Sequence, residues 1–477
     1  MPTSTKGVLF LTMWFALAAP LWQMTLKSYR APLDYSELHR YDSSIHSLVK
    51  ARVPVVLEPT PELRDIVPAA QLVVDRKLAK ANIHNWTLEF TSERRDNAIR
   101  VEFSQSSEPN FFLNKTGRLL QLSYDLDLLQ GGNIADMVVD VLLDQVYHQE
   151  LDWWMGAPLS GPTASYSPEY HIAISVLSAG GTTPKWDQAY FEHKFLKLHH
   201  FLQKNVCNIS VDTQIDYYAR LDSSPILTED GTWLLDQSAL STFVNFAEWN
   251  LASRMPYPTL NFILYIPDPS MSPLIVDKSK TNSFLIPQWG GVAIQSEVDI
   301  DAFYPIFQSH LLSVLGVPTE PASLDLRLDS LSRIFAARGI LATARALGSL
   351  DRLAKNMENI AIPKQVLDNC NIAIPKLKLA LLSIAKGDFR AATKAVGIAF
   401  AHAEAAFFDK HMVSQAFFPD EHKMAVYLPL LAPIGMLLVQ RWKGMSLWRN
   451  IDFRRALSKA DSEAAAVKFA LESKKTA

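Results

Sequence analysis

Two long uncharged segments constrain this chain more than any other feature of its sequence. Residues 7–24 read GVLFLTMWFALAAPLWQM, and residues 424–440 read MAVYLPLLAPIGMLLVQ. At about 1.5 Å per residue, the first segment forms a helix of about 27 Å, close to the thickness of the hydrocarbon layer of a membrane. The sequence therefore predicts two transmembrane helices with most of the chain between them.

Each segment also has an alternative interpretation. Lys6 and the sequence Ala16-Leu17-Ala18 resemble the basic region and the cleavage site of a secretory signal peptide. Apolar residues continue past that site to Trp22, an aromatic residue suited to a membrane interface, which favours an uncut anchor. The second segment has the length of a buried core helix, but charged residues flank it on both sides and favour a span.

The distribution of charge predicts the orientation in the membrane. The net charge is −3, which argues against a nucleic-acid-binding protein, yet residues 441–477 hold nine Lys and Arg against four Asp and Glu. A basic tail favours the cytoplasmic side, and with two spans both termini lie there. The predicted order is a cytoplasmic N-terminus (1–6), a first span (7–24), a lumenal part (25–423), a second span (424–440) and a basic cytoplasmic tail (441–477).

Short motifs agree with this topology. Three Asn-x-Ser/Thr sequons, at Asn85, Asn114 and Asn208, fall in the predicted lumenal part and are candidate glycosylation sites. Lys474 and Lys475 stand fourth and third from the end, as in a dilysine signal that returns membrane proteins to the endoplasmic reticulum. Two adjacent lysines are also common in any basic tail, so both interpretations stay open.

The lumenal part divides into two regions by its hydrophobic pattern. Between residues 25 and 317, β-branched runs such as Ile99–Phe103 and His171–Leu177 alternate with amphipathic stretches such as Ile300–Leu315. This alternation predicts an α/β domain, with a mixed sheet covered by helices. From 318 to 423 the helical spacing of apolar residues predicts a C-terminal helical subdomain, with a break at Gly387.

A search for catalytic motifs finds no convincing set. The sequence has no Gly-x-Ser-x-Gly, no P-loop and no dinucleotide-binding fingerprint. The segment Ser178–Thr183 follows a predicted strand and is either an anion cradle or a simple glycine turn. His199 and His200 are adjacent in a predicted helix and point in different directions, which makes them poor joint metal ligands. We expect no cofactor and no metal.

The chain has two cysteines, Cys207 and Cys370. Neither lies in the sequence context of a caspase-like nucleophile. In an oxidising lumen they could form a disulfide, or they could be two separate buried thiols.

Four stretches together resemble the phosphatidylinositol glycan class S (PIG-S) family. They lie in the family's order and span nearly the whole chain; one departure is Asp34, where the family more often has proline. The stretches are Pro20 to Tyr35 with Tyr29-Arg30-Ala31-Pro32-Leu33, then Ser210–Tyr218, then Ile286–Val292 with Trp289, and finally Ala403–Asp409 with Phe418–Lys423 and Val426–Leu430.

The resemblance implies a subunit of the GPI transamidase, which attaches GPI anchors to the C-termini of proproteins in the endoplasmic reticulum. It implies that the first span is retained and that this subunit is not an enzyme, because the cysteine nucleophile belongs to a separate caspase-like subunit. Expected partners are that subunit, its sister subunits and membrane lipid, with the GPI lipid and the proprotein as further candidates. A lumenal hydrolase and a cargo receptor are the competing hypotheses. Trp289 is a candidate for the surface that contacts partners, or for the core.

Overall fold

The computed structural model describes residues 29–412, except residues 96, 126–133, 159–162, 182, 222–224, 237–240, 249–256, 278–279 and 358–359, together with single residues at 16, 429, 455, 458, 459 and 462. Among these residues no helix has both the length and the apolar character that a membrane span requires. The predicted spans 7–24 and 424–440, residues 1–6 and the tail with Lys474 and Lys475 lie outside the described ranges.

The first sheet has five strands. Their order is β2-β1-β3-β5-β4, in which β4 is antiparallel to β5 and the other pairs are parallel. The interior strand β1 is buried along most of its length, as expected where both faces of a parallel sheet are covered. The strands are β1 (Ala51–Glu58), β2 (Trp86–Thr91), β3 (Ile99–Gln105), β4 (Asn110–Leu113) and β5 (Leu119–Tyr124).

Helices lie before, between and after the strands of the first sheet in the sequence. Asp34 begins the first of them, because its carboxylate accepts hydrogen bonds from the backbone N–H groups of Ser36 and Glu37. The Ser36 hydroxyl also donates to this carboxylate, and its hydrogen bond is the largest cause of the lowered pKa of Asp34; the backbone bonds add to it. The helices are α1 (Tyr35–Leu48), α2 (Ile66–Lys80), α3 (Ile134–Val141), which continues as a π-helical turn through Val146, and α4 (His148–Trp154).

The second sheet also has five strands, in the order β12-β13-β10-β6-β7. Strands β13, β10, β6 and β7 are parallel, and β12 returns antiparallel to β13 as a hairpin. A small third sheet has the order β11-β9-β8. The strands are β6 (Glu169–Ser178), β7 (Asn208–Tyr217), β8 (Ile226–Leu227), β9 (Trp233–Leu235), β10 (Thr259–Ile266), β11 (Leu274–Val276), β12 (Ser283–Ile286) and β13 (Gly290–Ile294).

The two faces of the second sheet are packed differently. On one face, phenylalanines from α5 (Gln188–Asn205) and α7 (Ile300–Leu315) surround Phe262 of β10, whose ring centroid is 4.9 Å from that of Phe307. Because side chains alternate along a strand, Ile263 points to the other face. There it joins a cluster with Leu235 of β9 and Phe243 of α6 (Ser241–Glu248).

The C-terminal part of the described chain is helical, as predicted. It comprises α8 (Leu324–Asn356), α9 (Lys364–Ala385) and α10 (Phe389–Phe407). Gly387 separates the last two helices at φ +75°, a conformation that favours glycine. Buried alanines such as Ala399 and Ala403 line one side of α10, and these small side chains allow close packing.

A buried ion pair connects α8 to the first sheet. Arg333 donates from Nε to Oε1 of Glu150 over 2.8 Å and from a terminal nitrogen to Oε2 over 2.6 Å. The indole N–H of Trp86, on β2, donates to the same carboxylate over 3.0 Å. Glu150 and Arg333 are 1% and 3% exposed, so the strand, α4 and α8 share one desolvated charge pair.

The chain separates into two compact units: residues 33–352 with 368–407, and residues 1–32 with 353–367 and 408–477. In the second of these, Arg30 donates to the backbone carbonyls of Ala354, at 2.6 Å, and Met357, at 3.2 Å. Ala31 N–H donates to the carbonyl of Ile362 over 2.9 Å. An arginine that satisfies the free carbonyls at a helix C-terminus stabilises that end.

The structure differs from the sequence prediction in the number of sheets. The alternating pattern predicts one covered sheet, whereas the chain forms two five-stranded sheets and a small third one. The apolar run Phe284–Ile294, which from sequence alone is predicted as one strand, forms a hairpin, because Gln288 in the turn and Gly290 at the start of β13 adopt positive φ.

Candidate functional site

Ligand sites of parallel α/β sheets lie beyond the carboxyl ends of the strands. In the second sheet this position is the turn that follows β6, at Ser178–Gly181. Ser178 is 3% exposed, and its carbonyl accepts a hydrogen bond from Ala219 N–H over 2.9 Å. A Cβ added to Gly181 would lie 2.6 Å from the hydroxyl of Tyr218, so this side chain covers the turn. Thr182 lies outside the described residues.

The face of the sheet next to this turn is apolar. Leu177 and Ala179 of the turn region belong to a buried cluster with Phe243 and Tyr265, whose ring centroids are 5.2 Å apart. A hydrolase at this position needs a nucleophile beside a base and an orienting group. The described side chains of this cluster are apolar or aromatic and pack against one another, and they supply none of these groups.

The two cysteines are buried and are free thiols. Burial raises the pKa of both, to about 11 for Cys370 and further for Cys207. Because the thiolate is the nucleophilic form, a raised pKa leaves each group protonated and unreactive at neutral pH.

The adjacent histidines do not form a metal site. The His199 ring stacks on Phe195, and its Nε2 lies 3.2 Å from the carbonyl of Ile209, whereas His200 is exposed. Within the described ranges, no group of three or more His, Cys, Asp or Glu side chains is arranged to hold a metal ion.

One group of three residues has the composition of a catalytic triad, and the sequence analysis did not identify it. His171 Nδ1 lies 2.8 Å from the hydroxyl of Ser210, and His171 Nε2 lies 3.5 Å from a carboxylate oxygen of Asp212. Ser210 and Asp212 project from the same face of the edge strand β7. The His171 ring is 0% exposed, so no substrate can reach the base. We interpret this group as a polar link between β7 and β6.

Trp289 lies in the turn between β12 and β13. It is half-buried and packs against the apolar cluster beside the sheet. The adjacent glycines allow close approach: a Cβ on Gly290 would lie 1.7 Å from the carbonyl oxygen of Asn261, and one on Gly291 would lie 2.2 Å from Nδ1 of His310. The indole of Trp289 itself is only partly covered by the described chain.

We expect the stability of the chain to decrease below neutral pH because of His310. Burial lowers the pKa of this side chain from 6.5 to about 4. The folded state holds His310 neutral while the unfolded state gains a proton, so stability present above pH 6.5 is lost progressively as the pH falls towards 4. One pKa unit corresponds to about 1.4 kcal/mol, so the loss amounts to about 3 kcal/mol at most.

The measurement is chemical unfolding of the full-length chain in detergent between pH 7.5 and pH 4.5. His310→Gln should flatten the pH dependence, whereas the same change at the exposed His200 should leave it as in the wild type. An unchanged slope in His310→Gln would contradict this assignment.

The three sequons differ in accessibility. Asn208 is exposed at the start of β7, and its amide donates to Glu169 over 3.1 Å. Asn114 is half-buried in the turn between β4 and β5, and its side-chain oxygen accepts from Thr116 N–H over 3.0 Å. Asn85 is half-buried just before β2.

Comparison with known proteins gives a consistent family match. The model of the family described as "Phosphatidylinositol-glycan biosynthesis class S protein" (PIG-S) matches residues 9–449. These residues include nearly all of the first apolar segment and the whole of the second.

Curated proteins show the same similarity. The chain is 23% identical over 458 residues to the "GPI transamidase component PIG-S homolog" of Schizosaccharomyces pombe, covering 87% of this chain and 79% of that protein. It is 25% identical over 520 residues to the "GPI-anchor transamidase component PIGS" of Bos taurus, covering 90% and 92%. With the Homo sapiens protein of that name the identity is 31% over 265 residues, 48% of each chain.

Proposed function

This chain belongs to the phosphatidylinositol-glycan biosynthesis class S (PIG-S) family, and from this premise we propose that it is a non-catalytic subunit of the GPI transamidase complex. The observation that carries the proposal is the match over residues 9–449, together with relatives that are named as components of this transamidase. Its proposed role is to support assembly of the complex and the attachment of GPI anchors to proproteins.

The geometry supports a non-catalytic role. The turn after β6 is covered by Tyr218, both thiols are buried with raised pKa values, and the ring of His171 has no exposed surface. The nucleophile is proposed to come from a separate caspase-like subunit, as the family resemblance implies. Other proposed partners are the sister subunits and membrane lipid, with the GPI lipid and the proprotein in contact with the assembled complex.

We propose the endoplasmic reticulum membrane as the location, with spans at 7–24 and 424–440, a lumenal α/β domain at 25–317, a lumenal helical subdomain at 318–423 and a cytoplasmic tail from 441. Asn208, whose side chain is exposed, is the preferred glycan site, followed by the half-buried Asn114 and Asn85. Lys474 and Lys475 are the proposed retrieval signal. In sealed microsomes, protease should remove the tail and spare glycosylated lumenal chain; a protected tail would contradict this topology.

Trp289 is our proposed contact with a sister subunit. Its indole is only half covered by its own chain, and tryptophan is enriched at the energetic centres of protein interfaces. Trp289→Ala should leave the chain folded, because the ring covers the apolar cluster only in part, and should reduce its recovery with the other subunits at least about tenfold.

Affinity purification from mild detergent tests both the function and this contact. The wild-type chain should recover a stoichiometric set of transamidase subunits, including the caspase-like one. Phe112→Ala, which removes a 61% exposed ring on the first sheet, is the matched control and should recover them equally well. A wild-type chain that purifies alone with hydrolase activity, or that recovers only cargo, would overturn the proposed function.

A further inference from the structure

A cavity of about 740 Å³ lies away from the turn after β6, the His171 group and Trp289, and the sequon residue Asn85 is part of its lining. Its volume falls within the range of roughly 300–1,000 Å³ that is typical of ligand pockets. We call it the arginine–tryptophan cavity; the lining residues that matter here are Trp153, Trp154, Tyr166, Arg338, Arg345 and Glu404.

Two hydrogen-bonding groups at this cavity lack a partner. The indole N–H of Trp154 and the hydroxyl of Tyr166 are buried, and neither is bonded to any described part of the chain. Buried polar groups in folded proteins nearly always find partners, because leaving one unpaired costs the energy of its lost hydration. Neither atom has accessible surface, so a ligand in the cavity contacts these two rings and leaves both polar atoms as they are.

The cavity also has positive charge that nearby carboxylates do not neutralise. Arg338 donates to the backbone carbonyls of Ala164, at 2.5 Å, and Leu315, at 3.3 Å, and forms no ion pair among the described residues. Arg345, seven residues further along α8, is exposed and forms neither an ion pair nor a hydrogen bond within those residues. Arginine at such positions matches the geometry of phosphate oxygens.

On α10, Glu404 is the carboxylate among the described lining residues, and it forms no ion pair with either arginine within those residues. The Glu404 side chain is exposed, so water screens its attraction for the two arginines. The remaining lining residues, which include Asn85 and Ser165, are neutral and polar or apolar, apart from His46.

The tryptophan pair adds an apolar surface of defined shape. The rings of Trp153 and Trp154 meet nearly at right angles, with centroids 5.0 Å apart, and both are half-buried. A flat indole face suits the C–H face of a sugar ring, while the sugar hydroxyls accept hydrogen bonds from neighbouring donors. A cavity with an aromatic wall and two cationic donors therefore fits a saccharide that bears phosphate.

We propose that the arginine–tryptophan cavity binds a phosphate-bearing saccharide, with Arg345 and Arg338 on the phosphate and the Trp153–Trp154 pair against a sugar ring. We identify this saccharide as the headgroup of the glycolipid substrate, an identification that rests on the proposed function. A free sugar phosphate has the same groups and would fit the same cavity.

The test is a binding measurement on the full-length chain in detergent, by isothermal titration calorimetry. The probes are mannose 6-phosphate, mannose, inorganic phosphate, and glycosylphosphatidylinositol in detergent micelles. All samples carry Thr87→Ala, which removes the sequon of Asn85, so that no glycan attached there can block the cavity. The variants are Arg345→Gln, Trp154→Phe and, as the matched control, Arg76→Gln, which changes an exposed arginine on α2.

We expect mannose 6-phosphate to bind at least tenfold more tightly than mannose or inorganic phosphate. Arg345→Gln should weaken this binding roughly tenfold, the effect of losing a hydrogen bond to a charged group, and Trp154→Phe should weaken it about fivefold. Arg76→Gln should leave it unchanged. Absence of binding, binding that Arg345→Gln does not alter, or equal binding of inorganic phosphate would overturn the proposal. If mannose 6-phosphate binds and the glycolipid does not, the identification of the ligand as the glycolipid headgroup is wrong.

Failure of this inference can be separated from failure of the proposed function. Arg345→Gln is expected to recover the sister subunits as well as the wild type does, because the cavity is not the proposed contact surface. Normal recovery without saccharide binding would overturn only the cavity assignment, whereas saccharide binding by a chain that recovers no subunits would overturn only the complex assignment.

Discussion

Replacing Arg333 with leucine should lower the free energy of unfolding by about 3–5 kcal/mol, because the change leaves Glu150 as a buried charge without its counter-ion. Among the described residues, the Trp86 indole N–H, 3.0 Å away, would be the one remaining hydrogen-bond donor to that carboxylate. The pair links β2, α4 and α8, so we expect the variant to expose the first sheet to proteolysis as well.

A double variant separates the charge effect from packing. Arg333→Leu combined with Glu150→Leu removes both charges, and replacing a whole buried ion pair by apolar residues is often neutral or stabilising. The double variant should therefore be more stable than Arg333→Leu alone in chemical unfolding. Arg76→Gln, which removes an exposed cation, should stay within about 0.5 kcal/mol of the wild type. A single Arg333→Leu change that costs less than the control would contradict the account.

Gly290→Ala should be comparably damaging. The added Cβ would lie 1.7 Å from the carbonyl oxygen of Asn261, and the residue has φ +150°. Backbone strain of about 1–3 kcal/mol adds to an overpacking cost of about 1–3 kcal/mol. The register places Gly290 opposite Asn261 at the start of the β10–β13 ladder, so the strand must shift to relieve the overlap.

Gly117→Ala is the matched control for this variant. Gly117 has φ +142°, close to that of Gly290, but no atom lies within 4 Å of the position of its Cβ. In chemical unfolding, Gly117→Ala should lower the free energy of unfolding less than Gly290→Ala does. The difference between the two variants should equal the overpacking cost. Equal losses would show that backbone strain, and not contact with β10, accounts for the requirement for glycine.

The parts of the fold that could be predicted from sequence are those with a local signal. Helix α7 has the bounds that its apolar spacing predicts, Ile300–Leu315, because that signal acts over a few residues; the structure adds the cap at Asp299. Helix α1 was not predicted, although Asp34 followed by Glu37 is a helix-start signal, and Leu38, Tyr41 and Ile45 repeat at helical spacing.

What could not be predicted depends on contacts between distant residues. The division into two sheets follows from which strands pair, and β6 pairs with β10 across about 80 residues of sequence. His171 meets Ser210 across 39 residues, and Glu150 meets Arg333 across 183. The arginine–tryptophan cavity combines side chains from α4, α8 and α10, so no single stretch of sequence carries its signal.

The central claim is that this chain serves the transamidase without performing its chemistry. The most direct measurement is GPI attachment to a reporter proprotein in microsomes depleted of the endogenous chain and supplied with a fourfold variant: Ser178→Ala, Cys207→Ala, Cys370→Ala and Ser210→Ala. The account predicts that the variant assembles and restores attachment to within about twofold of the wild type. Loss of a true nucleophile costs about 10⁴-fold or more in turnover. A variant that assembles normally but loses attachment on that scale would contradict the claim.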